Sequence, residues 1–420
     1  MMNKIKLIEK IEGEAKLHFS FKDEKIDFVD IEFLQTRSIE KILEGKNVLD
    51  ALVINPRVCG ICGHAHLIAT VEAIEDCYES IEISNKAKII RELTLNFELI
   101  QNHFKWFYFT VLPLFGYKQA VLKAAYPSQL MSKAIAVIAG QYPHTSYAIV
   151  GGVVSDITNM DLIKVSQYIN ETQKFFKENL LELDDILECD NIDSLFKQKG
   201  DLSMILDDIV KNGWKQLGKS YGRFISFGEN SYFTKGKSLK TRRFTNISLD
   251  DVNEFTNKKS YAKNVTFKDK YFEVGPLSRA IINKNLLIKD AHDKYEDSIV
   301  SRIVARVAEI PQLLEHTKKL IEKINLNEPS YIKPNIDISK ITASGNSAVE
   351  AARGSLIHKV KIEDGIIKKY DIITPTQWNL SNGTRQIQGV SQHAMVGLKD
   401  EKIAEIVFKS FDVCSVCTTH

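Results

Sequence analysis

Four of the six cysteines stand in two Cys-x-x-Cys pairs, Cys59/Cys62 and Cys414/Cys417, near opposite ends of 420 residues. Thiolates are soft ligands suited to nickel, iron and zinc, and two intervening residues let both sulfurs of a pair reach one small centre. If the pairs serve one centre, the chain must fold back across about 350 residues. Zinc ribbons separate their pairs by roughly 15–20 residues, so this gap disfavours a structural zinc site without removing it. A thioredoxin-like redox pair needs a βαβ setting that neither pair occupies. No secretory leader is visible before residue 20, which favours metal or redox chemistry over structural disulfides. Cys77 and Cys189 are isolated and read as ordinary core or surface cysteines.

The hydrophobic pattern predicts a mainly α, α+β fold: a central bundle of long helices with small peripheral antiparallel sheets. Alternation at Ile5 and Leu7, at Ala15, Leu17, Phe19 and Phe21, and at Ile26, Phe28 and Ile31 predicts a small sheet over about residues 4–35, turning at Lys22–Lys25. A short helix follows around Ile39–Leu43. Apolar residues recurring at helical spacing, with no Gly or Pro until Pro113, predict a long helix over Asn85–Val111. Others are expected over Leu162–Leu187 and Asp297–Ile324, the latter with a kink at Pro311. Residues 190–269 are expected to hold short strands and peripheral helices. His358–Ile373 reads as a hairpin through Asp364-Gly365, and a last helix over about Asp400–Lys409 leads into the terminal cysteines.

The stretch from Ala134 to Ser155 lacks charge and is long enough for a membrane span. Gly140, Pro143, Gly151 and Gly152 interrupt it, so it reads as a buried helix and a Gly-rich loop. With 56 basic and 54 acidic residues, net charge +2, nothing marks a nucleic-acid or anionic-membrane partner. No repeat or linker is visible. One unit over 1–420 is expected: an N-terminal sheet (1–35), a helical core (36–190 and 270–330), a peripheral region (190–270), and a C-terminal hairpin with a metal-binding tail (340–420).

Arg57-x-Cys59-Gly60-x-Cys62-x-x-x-His66 and Asp412-x-Cys414-x-x-Cys417-x-x-His420 resemble the paired signatures of [NiFe]-hydrogenase large subunits. Ile11-Glu12-Gly13, Arg37–Glu40, Pro143-His144, Gly151–Val153, Gly275–Arg279, Ala352–Gly354 and Pro375–Asn379 look like further family blocks in family order, so the resemblance spans the chain, weakest over 190–270. The quinone-site subunit of respiratory complex I shares the fold but lacks the cysteine pairs.

The resemblance implies a nickel–iron centre with CO and two cyanides on iron. Cys59 and Cys414 would be terminal nickel ligands, and Cys62 and Cys417 would bridge the metals. It implies reversible heterolytic cleavage of H2, mainly uptake, with electrons passed to an iron–sulfur small subunit. Glu12 matches the glutamate that relays protons from Cys414. On residues alone it reads as a salt-bridged strand glutamate. Arg353 matches the arginine over the centre, Asp412 its supporting carboxylate, Thr376 a hydroxyl beside a cyanide, and Pro375 the adjoining wall. His66 matches a donor to the Cys62 sulfur. Glu40, the Ile372 carbonyl and His420 match a separate cation site, usually magnesium. An imidazole ligand makes iron the other option there. Partners implied are the small subunit, further copies of that heterodimer and maturation proteins. The expected location is cytoplasmic, with any membrane association through partners.

Val413, Lys409, Leu114 and Ala352 stand where the family commonly has proline, arginine, aspartate and proline. None of these departures removes a metal ligand. In many family members a protease removes a tail after the histidine matching His420. The first cysteine block also looks like the cyanobacterial-type uptake and sensory group, so an H2 sensor signalling to a kinase is the alternative function.

Overall fold

The computed structural model describes residues 2–9, 13–78, 80–182, 189–239, 242–256 and 260–420. Four long helices form its centre: Asn85–Trp106, Val121–Ala139, Asn159–Asn179 and Ile299–Glu322. The second packs on the first and third, and the fourth packs on the first and third. One buried apolar cluster runs from Ile8 to Val413 through this bundle.

Local chemistry fixes the helix starts. Ser84 accepts from the amide of Ala87, and Thr158 forms a reciprocal box with Asp161. The first long helix is buried on most sides, as its dense apolar residues require. Over Phe107–Val111 it widens into a π-turn just before Pro113, which has no N–H to continue an α-helical ladder. The Ile299–Glu322 helix continues through Pro311. The second of the four begins at Val121, earlier than its charge-free run suggests, with Pro127 in its second turn, and ends at Gly140 in a left-handed conformation.

The N-terminal sheet is antiparallel, in the order Met2–Ile8, Ala15–Lys22, Lys25–Phe33. The C-terminal hairpin, Gly354–Glu363 and Ile366–Ile373, gains a third strand, Ala343–Ala351. That strand packs against the Gly63–Glu75 helix. Contact is close enough that a Cβ at Gly345 would lie 2.1 Å from the Ala73 carbonyl oxygen and 2.8 Å from Cys77 Sγ. Residues 190–269 hold the short helices Ile192–Leu195 and Asp201–Lys211 and the strands Arg223–Ser226, Gly236–Leu239, Arg242–Phe244, Val252–Phe255 and Asn264–Phe267. Among the described residues, no helix is long and apolar enough to cross a membrane.

Buried ion pairs cross the bundle. Arg91 makes two 2.8 Å bonds to Glu75 and also donates to the carbonyls of Ile149 and Gly152, fixing the Gly-rich loop. Arg302 makes two 2.8 Å bonds to Glu273. Removing one member of such a pair typically costs about 3–5 kcal/mol, because the other charge stays buried and unpaired.

Candidate metal centre

Cys59 and Cys62 lie in the turn between Arg57 and the helix beginning at Gly63, with Cys62 as its N-cap residue. Gly63 is required there: a Cβ would meet the Pro56 carbonyl oxygen at 2.7 Å. Glu98, fully buried, accepts from the amides of His64 (2.8 Å) and Ala65 (3.0 Å), capping that helix. Burial lifts the Glu98 carboxyl to about 8 despite those two bonds.

The terminal segment folds back onto this turn. Cys414 caps the short helix Ser415–Thr418 and accepts from the amide of Cys417 at 3.4 Å. Cys59 and Cys414 sulfurs are 4.0 Å apart, Cys62 and Cys417 sulfurs 3.3 Å. The sulfurs of Cys59, Cys62 and Cys417 lie within 4.8 Å of one another. All four are buried free thiols. Arg37 joins the two loops: Nη2 donates to the carbonyls of Val58 and Val416, and its amide to that of Thr419.

Burial opposes ionisation at Cys59. Bonds from Cys414, Cys417 and Cys62, with the Arg353 charge, bring it well below the ordinary thiol range. At Cys62 and Cys414 a bond to Cys417 favours the thiolate, but Cys59 and burial push both up. Burial also raises Cys417. A second anion beside the first is disfavoured unless cationic charge is added, and cations that accept several thiolates meet that need.

Above the thiols, Arg353 donates from Nε to the Asp412 carbonyl (3.0 Å), and its Nη2 lies 3.3 Å from that carboxylate. Its Nη1 is buried and has no hydrogen-bond partner among the described residues. An unused donor beside four soft thiols fits a metal group carrying its own acceptors. Asp412 also accepts from Arg306 at 2.9 Å. Thr376, in the helix Pro375–Leu380 that begins at Pro375, accepts from the Cys414 amide at 3.3 Å. His66 has His358 as its nearest ring partner, Nδ1 to Nε2 3.1 Å. Burial pulls His66 down to about 3, so it is neutral. A cavity of about 570 Å³ borders Arg353, Asp412, Val413, Ile61 and Gly13.

Glu12 lies outside the described residues. Its neighbours reach the site: a Cβ at Gly13 would lie 2.8 Å from Ser415 Cβ, and Ser415 Oγ donates to the Glu14 carbonyl at 2.9 Å. Two members of the second predicted group, Glu40 and His420, come together, and at Ile372 the contact is through its amide rather than its carbonyl. His420 Nε2 is 3.2 Å from Glu40, whose carboxylate accepts from the Ile372 amide at 2.8 Å. Oxygens of Glu40, Glu254 and Asp371 lie within 4.8 Å of one another, and Lys263 bridges Glu40 (2.7 Å) and Glu254 (2.9 Å). Burial would raise Glu40, but the bond and charge of His420, then Lys263, bring it to about 2. This hard-oxygen cluster suits a small divalent cation, with the Lys263 ammonium as its competitor.

Sequence reasoning missed Glu98, Lys263, His103, Arg306 and Glu309. The last two had a signal: Arg302, Arg306 and Glu309 form a polar i, i+4, i+7 stripe in the mainly apolar first half of the Ile299–Glu322 helix.

A profile of the nickel-dependent hydrogenase family matches residues 37–112 and 223–420. The chain is 25% identical to sulfhydrogenase 1 subunit alpha of Pyrococcus furiosus over 435 residues, covering 98% of this chain and 96% of that one. It is 25% identical to the periplasmic [NiFeSe] hydrogenase large subunit of Desulfomicrobium baculatum over 488 residues, covering 98% and 93%. The solved H2-activated [NiFeSe] hydrogenase of Dm. baculatum superposes with a TM-score of 0.84 at 21% identity, over 100% of both chains. With that profile covering more than half of its length, including all four paired cysteines, the chain belongs to the nickel-dependent hydrogenase family as a large subunit.

Proposed function

We propose that Cys59, Cys62, Cys414 and Cys417 would hold a nickel–iron centre with CO and two cyanides on iron, Cys59 and Cys414 serving as ligands to nickel and Cys62 and Cys417 as ligands to both metals. The observation that carries this reading is the meeting of four buried free thiols under an arginine whose Nη1 has no partner among the described residues. When bound, such a centre polarises H2 as a Lewis acid and accepts its electrons.

The chain's own groups then have distinct tasks. Arg353 offers fixed donors at an iron ligand and lowers the cost of thiolate charge. Asp412 holds Arg353, and Thr376, whose hydroxyl oxygen accepts from the Cys414 amide, would donate its proton to a cyanide. Pro375 walls that side, and His66 donates to the Cys62 sulfur. Glu12 accepts the proton from Cys414 and passes it outward. Glu40, the Ile372 carbonyl and His420 hold magnesium or iron, which steadies the terminal segment.

Cys77 and Cys189, the only other cysteines, cannot hold an electron-relay chain. We therefore assign an iron–sulfur small subunit as the obligate partner and H2 uptake as the working direction. Names such as "subunit alpha" and "large subunit" among the relatives support a multisubunit enzyme. The whole chain acts as one unit in the cytoplasm, assembled by maturation proteins, and heterodimers can associate further. The test is infrared spectroscopy of the purified complex, with nickel and iron analysis and H2-dependent dye reduction on the same sample. Metal-bound CO and cyanide bands with nickel are expected; zinc without nickel would overturn the reading.

A further inference from the structure

The Arg353–Asp412 pair is the end of a longer buried ladder. Arg306 Nη1 lies 2.9 Å from Asp412 Oδ2, 3.1 Å from the Ala352 carbonyl and 3.2 Å from His103 Nδ1. His103 Nε2 lies 2.7 Å from Glu309 Oε2. Glu309 accepts from Arg279 Nε at 2.6 Å, and Arg279 donates to the carbonyls of Ala351 (2.8 Å) and Ala352 (3.3 Å). The Arg306 guanidinium stands over the Trp106 ring at 4.8 Å. His103, Arg279, Arg306 and Glu309 are all buried.

Only one form of His103 satisfies both neighbours. Arginine can only donate, so Nδ1 must present a lone pair to Arg306. The ring proton is then on Nε2 and points at the Glu309 carboxylate. Burial keeps the imidazole neutral, pulling it down to about 4. Glu309 stays ionised: burial would raise it, but Arg279 and His103 bring it to about 2.

We infer that His103 is a positioning residue for the arginine above the cysteines, acting through Arg306 on both Asp412 and the backbone before Arg353. Asp412 needs such outside support. It has a φ of 56°, in the left-handed region that side chains other than glycine rarely adopt. It stands two residues before Cys414, so a shift there moves the donor that faces the centre. Ala352, which directly precedes Arg353, accepts from both Arg279 and Arg306, so the ladder holds the other side of the pair as well.

This inference rests on the nickel–iron reading proposed above, and the experiment separates the two. Infrared spectra are compared for the unaltered complex, His103→Leu and His103→Gln, each with its nickel and iron content. Leucine makes neither bond. A glutamine amide can accept from Arg306 with its oxygen and donate to Glu309 with its nitrogen. In H103L the metals are retained, the cyanide bands shift, and H2-dependent dye reduction falls by about 10–100-fold. In H103Q the bands return to their unaltered positions. A core residue that merely fills space would leave the bands unmoved, or move them alike in both variants; either result overturns the proposal. If H103L does not retain metal, H103Q decides alone: unaltered bands support the role and displaced bands overturn it. Absence of CO and cyanide bands from the unaltered complex would overturn the nickel–iron reading, and this proposal with it.

Discussion

Arg353 grips Asp412 twice, through Nε to its backbone carbonyl at 3.0 Å and through Nη2 to its carboxylate at 3.3 Å. One guanidinium thus fixes both the main chain and the side chain of the residue that leads into Cys414. A lysine keeps the charge but offers a single point donor. Arg353→Lys is expected to retain nickel and iron while lowering H2-dependent dye reduction roughly 100-fold, the usual cost of removing a preorganised donor. Metal content and rate on one preparation check this.

The thiols differ in kind from their surroundings. Cys59→Ala or Cys414→Ala removes a sulfur from a set that sits 4.0 Å apart. Each is expected to lose nickel and all hydrogenase activity, read by elemental analysis and H2 uptake. A full complement of nickel in either variant would contradict the ligand assignment.

Glu12→Gln is expected to keep both metals and to slow hydrogen–deuterium exchange and turnover by at least about 100-fold, within the range for general acid–base groups. Exchange at the unaltered rate would refute the relay.

Glu72 gives a pH prediction remote from the centre. Burial lifts its carboxyl to about 7, and Glu75 adds to the rise while Arg91 opposes it. Its side chain is half-buried by surface exposure and borders a cavity of about 450 Å³, so solvent screening reduces the energetic effect. The folded state holds this proton up to about pH 7, whereas the unfolded chain releases it near 4.5. The stability it contributes is therefore full below pH 4.5 and lost as pH rises through 7. Glu72→Gln should raise the thermal midpoint at pH 8 by a few degrees, on the order of 1 kcal/mol. It should have little effect at pH 5. Thermal melts at both values decide it.

Legibility followed the physics of each element. The N-terminal sheet was readable because one face is buried and the other wet, which prints a period of two. The Asn85–Trp106 helix was readable from length and the absence of breakers. The Leu162–Leu187 expectation became Asn159–Asn179, and residues 183–188 lie outside the described residues. The Gly63–Glu75 helix escaped notice because it is buried on nearly every side, so it has no amphipathic stripe. The strand Ala343–Ala351 is built mainly from Ala, Ser, Gly and Asn, residues with weak strand preference, and its neighbours impose its form. The cysteine pairs were legible because spacing and residue type alone carry metal chemistry. Of the ladder behind Arg353 only the polar stripe on one helix shows in the sequence, since the pairing of residues about 200 apart leaves no local trace.

The reach of Arg37 to both Val58 and Val416 bears on assembly order. The partners it joins belong to loops whose cysteines are 355 residues apart, and once the bundle is in place only the ordering of the last few residues opposes their meeting. A few carbonyl bonds and a short terminal helix offset that weakly, whereas thiolate–metal bonds act as a covalent clasp. Protein made without nickel should therefore keep its bundle yet let the last segment detach, so that proteases trim it there first and metal insertion shuts it like a latch.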